Sequence, residues 1–421
     1  MKKHIGFFLI SISILFFCAN IFAQDKSLLE TLLKKGILSN EEASLIAKES
    51  VAVVFDKENA SSLKLNFRVQ TQYQNVDTSI DDNASSYSLL GTNGFEIRRI
   101  KLGAVADLGA DWSADILLEF TRSSDSQRYL DRVYIRKKVD ISFLNGNLDF
   151  GFRRVNFGYE ENTSSAKLLS IERSMTTGYW SGSNNANRIG MGGRYAGIFW
   201  NGNIKEIEGL GYGFAITNSY NNNPTQIIDS ADNCLNFFAN VVYAKKFENF
   251  SFKTGLNFGY ANDGNVISSQ NRHTQIIGLN PYVAASFYKF NMWGEFLYSN
   301  IEDGKNSFQE SANPFGLNFG IERRFDIGEY GEIAPAFIYS WLNTDGRGVA
   351  ITGTAPAGYS MPEPYYGAQS FYFGLNWYIV GDSIKLQAGY EWSQFNGKRN
   401  DRHASVYATS SAFRIQFQTD F

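Results

Sequence analysis

The sequence predicts a transmembrane antiparallel β-barrel of about sixteen strands, preceded by a short N-terminal helical segment. Three observations predict it: an export leader, a period-two alternation of apolar and polar residues from residue 63 to the end, and connections that alternate between long and short. Composition fits. Of 421 residues, 15% are aromatic, 38 are Gly and only 7 are Pro. The 39 Lys and Arg nearly balance 42 Asp and Glu, which excludes a basic nucleic-acid binder and an acidic disordered chain. Two Cys and three His leave little material for a disulfide framework, a zinc site or a histidine-based catalytic centre, so no metal, cofactor or catalytic residue is expected.

The leader comes first. Lys2 and Lys3 precede an apolar run from Ile5 to Phe17, and Ala23 offers a small residue for cleavage before Gln24. This is the pattern of a signal peptide over residues 1–23. A membrane anchor is the rival, but the run is short for a span of ~20 residues. Residues 24–60 form a separate segment. Leu28, Leu29, Leu32 and Leu33 recur at helical spacing, and Ser39 with Glu42 makes a capping box, so a helical hairpin is expected over 27–50.

The barrel occupies 61–421. Leu63, Leu65, Phe67 and Val69 alternate with Lys64, Asn66, Arg68 and Gln70; Phe413, Ile415 and Phe417 alternate with Arg414, Gln416 and Gln418. Such segments fall at 63–74, 95–107, 111–121, 129–138, 147–154, 188–199, 211–219, 234–247, 250–261, 273–288, 291–301, 315–325, 329–342, 369–380, 383–395 and 408–421. Many exceed the ~5–6 residues usual in soluble strands and suit a tilted span. Gaps after odd segments are long (75–94, 155–187, 343–368), whereas those after even segments are mostly two or three residues. The stretches 143–146 and 200–210 read as longer turns or as strand extensions. Long loops on one side and tight turns on the other are the asymmetry of bacterial outer-membrane barrels. Trp112, Tyr129, Trp180, Trp200, Trp293, Trp341, Trp377 and Trp392 are candidates for the interfacial girdles.

Sixteen strands enclose an aqueous lumen. Residues 155–187 contain a helix-like stretch, 164–175, able to fold into it. Phe95-Glu96-Ile97-Arg98-Arg99-Ile100-Lys101-Leu102-Gly103, then Trp112, Glu119-Phe120, Leu130-Asp131 and Tyr134-Ile135 resemble the phosphate-selective porin O and P family. So do Leu148-Asp149-Phe150-Gly151 through Arg154, Phe157-Gly158, Glu160, Ser164-Ser165, Leu168 and Ile171-Glu172-Arg173-Ser174. The ordered match covers about 95–175; Asn156 departs from it where the family tends to carry Pro. The resemblance implies a homotrimeric porin in the outer membrane of a Gram-negative bacterium, with basic residues biasing the lumen towards small anions such as phosphate or pyrophosphate.

The alternation places Arg99 and Lys101 opposite Ile100 and Leu102, hence inward; Arg132, Arg136 and Lys138 likewise lie opposite Val133 and Ile135. A lipid-facing Arg at the midplane costs ~2–4 kcal/mol, which favours the inward assignment. The expected anion-binding constriction is therefore Arg99, Lys101, Arg132, Arg136, Arg154, Lys167 and Arg173. Arg154 and Arg173 lead this set, because one ends the strand feeding the long loop and the other lies in it. The alternative is that these cations pair with Asp115, Glu119 and Asp149 and only solvate the wall. Terminal Phe421, ending an alternating strand, is the expected signal to the barrel-assembly machinery. His273-Thr274 reads as wall, Asn262-Asp263-Gly264-Asn265 and Asp77/Asp81/Asp82 as turns, and Gly190-Met191-Gly192-Gly193 as barrel curvature in a strand. The partners expected are small anions and outer-membrane lipid, with no nucleic acid. A structural or adhesive barrel with a blocked lumen and ligand-binding outer loops is the competing function.

Overall fold

The computed structural model describes residues 52–53, 62–82, 85–121, 130–181, 189–218, 235–262, 275–302, 304, 310–348, 365–398 and 405–421. The chain divides into two units, Met1–Phe55 and Asp56–Phe421. In the first, the described part is a two-residue strand, Ala52–Val53; the helical hairpin expected over 27–50 and the leader lie outside the described residues.

The second unit is a closed sixteen-stranded antiparallel barrel. Its strands are β1 (Ser62–Asp82), β2 (Ser85–Gly109), β3 (Trp112–Glu119), β4 (Leu130–Ile141) and β5 (Leu144–Arg154). After a long inserted loop come β6 (Arg194–Ile204), β7 (Leu210–Asn218), β8 (Leu235–Lys246), β9 (Phe250–Asn262) and β10 (Gln275–Phe287). The circuit continues with β11 (Phe290–Ile301), β12 (Phe315–Arg323), β13 (Glu332–Asn343), β14 (Tyr365–Asp382), β15 (Ile384–Lys398) and β16 (Ser405–Asp420). Each strand pairs with its neighbours in sequence, and β16 pairs with β1 from Val406↔Asp82 to Asp420↔Arg68. Closure leaves the barrel no free edge, which hydrocarbon demands because an unpaired backbone group there costs several kcal/mol.

The interior is polar and the exterior apolar. Gln70, Asn257, Asn280, Asn318, Asn376, Gln387 and Gln418 are buried inside, whereas Leu102, Ile135, Val241, Leu256, Val283, Phe373 and Leu375 are exposed outside. Tight turns gather at one end. Ala110-Asp111 and Tyr288-Lys289 each hold two successive residues at positive φ, the conformation whose twist matches the flanking strands. Residues 144–146 and 200–204 are strand extensions, pairing from Leu144↔Ile204 to Leu148↔Trp200, while Phe143 lies in the turn before them.

Four local expectations are corrected. First, β1 and β2 run far beyond residues 74 and 95, pairing up to Asp82↔Ser85. Outward Asn75, Asp77 and Ser79 there are polar, so no apolar alternation marks the strand. Second, residues 164–175 are not helical; short helices flank the stretch, α1 (Tyr159–Asn162) and α2 (Met175–Ser181). Third, β6 begins at Arg194, so Gly190–Gly193 is not strand. It is the turn ending the long loop, with Gly190 at φ 79 and the Gly193 carbonyl accepting from Val155 N–H. Fourth, Trp180 and Trp293 are inside, not in a girdle. Trp180 lies on α2 and donates to Ser299 Oγ (2.9 Å), while Trp293 shares the inward parity of Glu295 and Leu297 and meets the Tyr159 ring at 5.7 Å.

The seam explains the terminal aromatic. Phe421 and Phe67 exchange both backbone hydrogen bonds, 2.6 and 3.0 Å, and their rings lie 5.5 Å apart. Deleting Phe421 removes this last closing pair. The expected result is less heat-modifiable, membrane-inserted barrel with export intact; wild-type levels of inserted protein would refute it.

Candidate functional site: an arginine-lined constriction

Residues 155–181 and 189–193 fold into the barrel and are tied to its wall on several sides. Carbonyls of Ala166, Leu168 and Leu169 accept from Lys385 Nζ (2.8 and 3.1 Å), Gln418, Gln387 and Asn376, all buried on β14–β16. On β1, Arg68 donates to Ser164 and Ser165 Oγ while also pairing with Asp420 at 2.8 Å. Towards β10–β13, Glu295 accepts Tyr159 N–H (2.7 Å), and Ser340 meets Thr176 (2.6 Å). At the loop root, Asn156 donates to Asn201 and Asn240 (2.6 and 2.7 Å), using the amide that Pro lacks. Losing one of two donors costs less than the ~1–3 kcal/mol of a bare buried carbonyl, because Gln418 still serves Ala166 and Gln387 still serves Leu168. Replacing Lys385 with Met is therefore expected to loosen residues 166–168, read as faster hydrogen exchange there with the barrel's melting temperature little changed. Unaltered exchange would show that the lysine does not hold the loop.

Between this loop and the β2–β6 wall, guanidinium groups outnumber carboxylates. Asp149, fully buried, takes both Arg136 (Nε–Oδ1 2.6 Å) and Arg153. Glu161 on α1 takes Arg154 (2.9 Å) and Arg173 (3.1 Å). Glu172 takes Arg98 (Nη2–Oε2 2.8 Å) and Arg99 (3.4 Å). Burial raises the Glu172 carboxyl, but Arg98 and Arg99 outweigh it and hold it well below the usual carboxylate range. Burial likewise raises Glu161, and Arg154, Arg173 and Arg194 outweigh it and lower it. Both acids are ionised, so each of these two triplets carries a net positive charge. Arg136 and Arg153 keep 29% and 21% of their side-chain surface exposed over a carboxylate with none, so the positive ends face the water. Tyr134 lies between them, its ring centroid 5.0 and 5.4 Å from the two guanidinium carbons.

The expected residues thus separate into kinds. Arg99, Lys101, Arg132 and Arg136 all face inward. Lys101 is enclosed by Glu119 (3.4 Å) and Asp131 (3.3 Å), and Arg132 pairs with Asp115 (2.7 Å), so these two sites are locally compensated. Arg154 and Arg173 do reach one place, because both bind Glu161 on the loop. Lys167 is exposed and makes no ion pair among the described residues. It borders a cavity of about 550 Å³ at the short-turn end, together with Lys245, Lys246, Lys253, Glu322 and Arg324. Two contributors were not among the expected residues. Arg98 turns inward because a β-bulge sets Gln70 opposite Arg99 and Thr71 opposite Ile97, freeing Arg98 from the register. Arg153 has the inward parity of Asp149, a signal present in the sequence. No group of three or more His, Cys, Asp or Glu among the described residues is placed to hold a metal ion. His273, Thr274 and Tyr129 lie outside the described residues.

Residues 63–223 match the model of the phosphate-selective porin O and P family. Among solved structures the fold is similar to an anion-selective porin from Comamonas acidovorans (TM-score 0.54, 16% identity, 86% of this chain and 99% of that one). It is also similar to the outer-membrane channel DcaP of Acinetobacter baumannii (TM-score 0.53, 11% identity, 88% and 100%). A third is OprB of Pseudomonas putida (TM-score 0.50, 10% identity, 85% and 94%). No curated protein sequence matches the chain.

Proposed function

We propose that this outer-membrane barrel is a passive diffusion channel that prefers small anions, phosphate and pyrophosphate among them. The single observation that supports it is the triplet motif: three times over, one buried carboxylate anchors two arginines on the wall or its inserted loop. The carboxylate fixes the guanidinium groups without cancelling them. Low-dielectric walls concentrate the remaining positive field where the path is narrow. Free N–H edges of an arginine suit the planar and tetrahedral oxyanions, which accept two hydrogen bonds at once. The resemblance to the family and the likeness to an anion-selective porin support the same sign.

The working unit is a homotrimer. Outward positions on β2–β4 carry Leu102, Ala104, Ala106, Ala114, Ile116, Val133 and Ile135 between the rings of Phe95 and Trp112, whereas rings are more numerous outside β8–β15. A sector poor in aromatic anchors suits a protein neighbour better than a lipid interface. Purified protein in a planar bilayer under a KCl gradient decides the function: discrete steps with a reversal potential of anionic sign support it. Absence of ion steps would favour an adhesive barrel with a blocked lumen, and a cationic sign would overturn the selectivity.

A further inference from the structure

Where the loop meets β11, two acids are buried side by side. Glu295 on the wall is fully provided for: Oε2 accepts Tyr159 N–H (2.7 Å) and Asn280 Nδ2 (3.0 Å), and Oε1 accepts Asn318 Nδ2 (3.1 Å) and Thr177 Oγ1 (3.3 Å). Oε1 also takes Glu160 N–H at 3.4 Å, so the wall carboxylate holds the first turn of α1. Glu160 is 2% exposed and differently placed. Its Oε2 accepts Ser174 N–H and Oγ–H (3.0 and 2.6 Å), whereas its Oε1 is buried with no hydrogen-bond partner. No cation pairs with either carboxylate at ion-pair distance among the described residues.

We propose that Glu160 is a pH latch on the constriction loop, seating it against β11 when protonated and releasing it when ionised. The proposal rests on the channel reading above and adds a regulation to it. Oε1 is buried with no donor to stabilise a charge on it, a setting unfavourable for the ionised carboxylate. The charged groups acting on Glu160 are Glu295 from β11 and Arg173 from its own loop, with Tyr159 and Glu161 beside it in sequence and Tyr282 of β10 packed on Tyr159. Lys167, Lys245, Lys246, Lys253, Glu322, Arg324 and Asp382 line the same cavity. Arg173 spends its hydrogen bonds on Glu161 and on the backbone carbonyls of Glu160, Glu161 and Thr163.

The sign follows from linkage. Burial, with Glu295 adding to it, pushes the Glu160 carboxyl from 4.5 to about 7 in the seated loop. The seated state therefore holds its proton more tightly than a released, solvated loop would. Its advantage is complete below pH 4.5 and is lost as pH rises towards 7. A carboxyl with that difference changes the seated-to-released ratio by up to ~300-fold across the window. Released α1 and α2 lose Glu295 and Ser340 and move off the wall into the path.

Single-channel recording at pH 5 and pH 8.5 tests it, with the wild type and with Glu160→Gln checked for folding by heat modifiability. The expected wild-type record has steady steps at pH 5 and at least a tenfold rise in closing frequency at pH 8.5. Glu160→Gln is expected to stay steady at both. Equal closing frequency in the wild type at both pH values would overturn the latch while leaving the channel intact, and needs no variant. Alkaline closures that persist in folded Glu160→Gln would also overturn it. No steps at any pH would instead refute the channel reading.

Discussion

Replacing Arg136 and Arg153 together with Ala is expected to shift permeability from anions towards cations about fivefold in 0.1 M salt, and much less in 1 M. The pair and Asp149 form one triplet, so the double substitution removes both positive ends from the wall. It also strands buried Asp149, but on a wall strand rather than on the loop, and heat modifiability checks that the barrel still folds. Two unit charges at ~4 Å interact by about 1 kcal/mol even at the dielectric of water, close to a fivefold change in local ion occupancy. Screening lengths of ~10 Å at 0.1 M and ~3 Å at 1 M set the salt dependence. The measurement is the chloride-to-potassium ratio from reversal potentials in both salts. A ratio unchanged at low salt, with conductance intact, would make these arginines wall structure.

The second large effect is expected at Glu172. Its carboxylate separates Arg98 from Arg99 and is the tie between the loop and β2. Glu172→Ala leaves two neighbouring guanidinium groups without their counter-ion, and losing one partner of a buried pair costs about 3–5 kcal/mol. Arg98 is a third exposed, so the lower end applies. The loop should detach there, giving larger and noisier current steps and faster proteolysis within 155–193, while the barrel stays heat-modifiable. The Arg154/Arg173 double substitution should behave alike rather than as a pure selectivity change, because it strands Glu161. Steps of wild-type size and noise from Glu172→Ala would refute the tie.

Much of the barrel was legible because one physical rule governs every strand: lipid outside and water inside force a period of two. That rule correctly turns Arg99, Lys101, Arg132 and Arg136 inward. It fails where its premise fails. Asn75, Asp77 and Ser79 lie on a strand with polar residues on both faces, and the bulge at Arg98 breaks the register by one residue. Trp180 and Trp293 carry the composition of a girdle, yet the first sits on an inserted loop and the second has inward parity. The pairing of the site was less legible still. Lys385 meets Ala166 across 219 positions of sequence, and Asn318 meets Thr177 across 141. Such contacts follow from closure of the circuit, which no local pattern encodes. The choice of Asp149 as the shared anchor of Arg136 and Arg153 depends on strand pairing of that kind, with Arg136↔Asp149 in register.

The loop's attachments also have a mechanical consequence. A thin hoop of strands resists squeezing in the plane of the membrane poorly, since bending it into an ellipse breaks no hydrogen bonds. Here one segment is fastened at Arg68 and Lys385 on one arc, at Glu295 and Ser340 on another, and at Asn201 and Asn240 on a third. These fastenings work as spokes from a hub. They keep the section round under lateral pressure from the bilayer, and so hold Arg173 of the loop at a constant separation from the arginines of the β2–β5 wall.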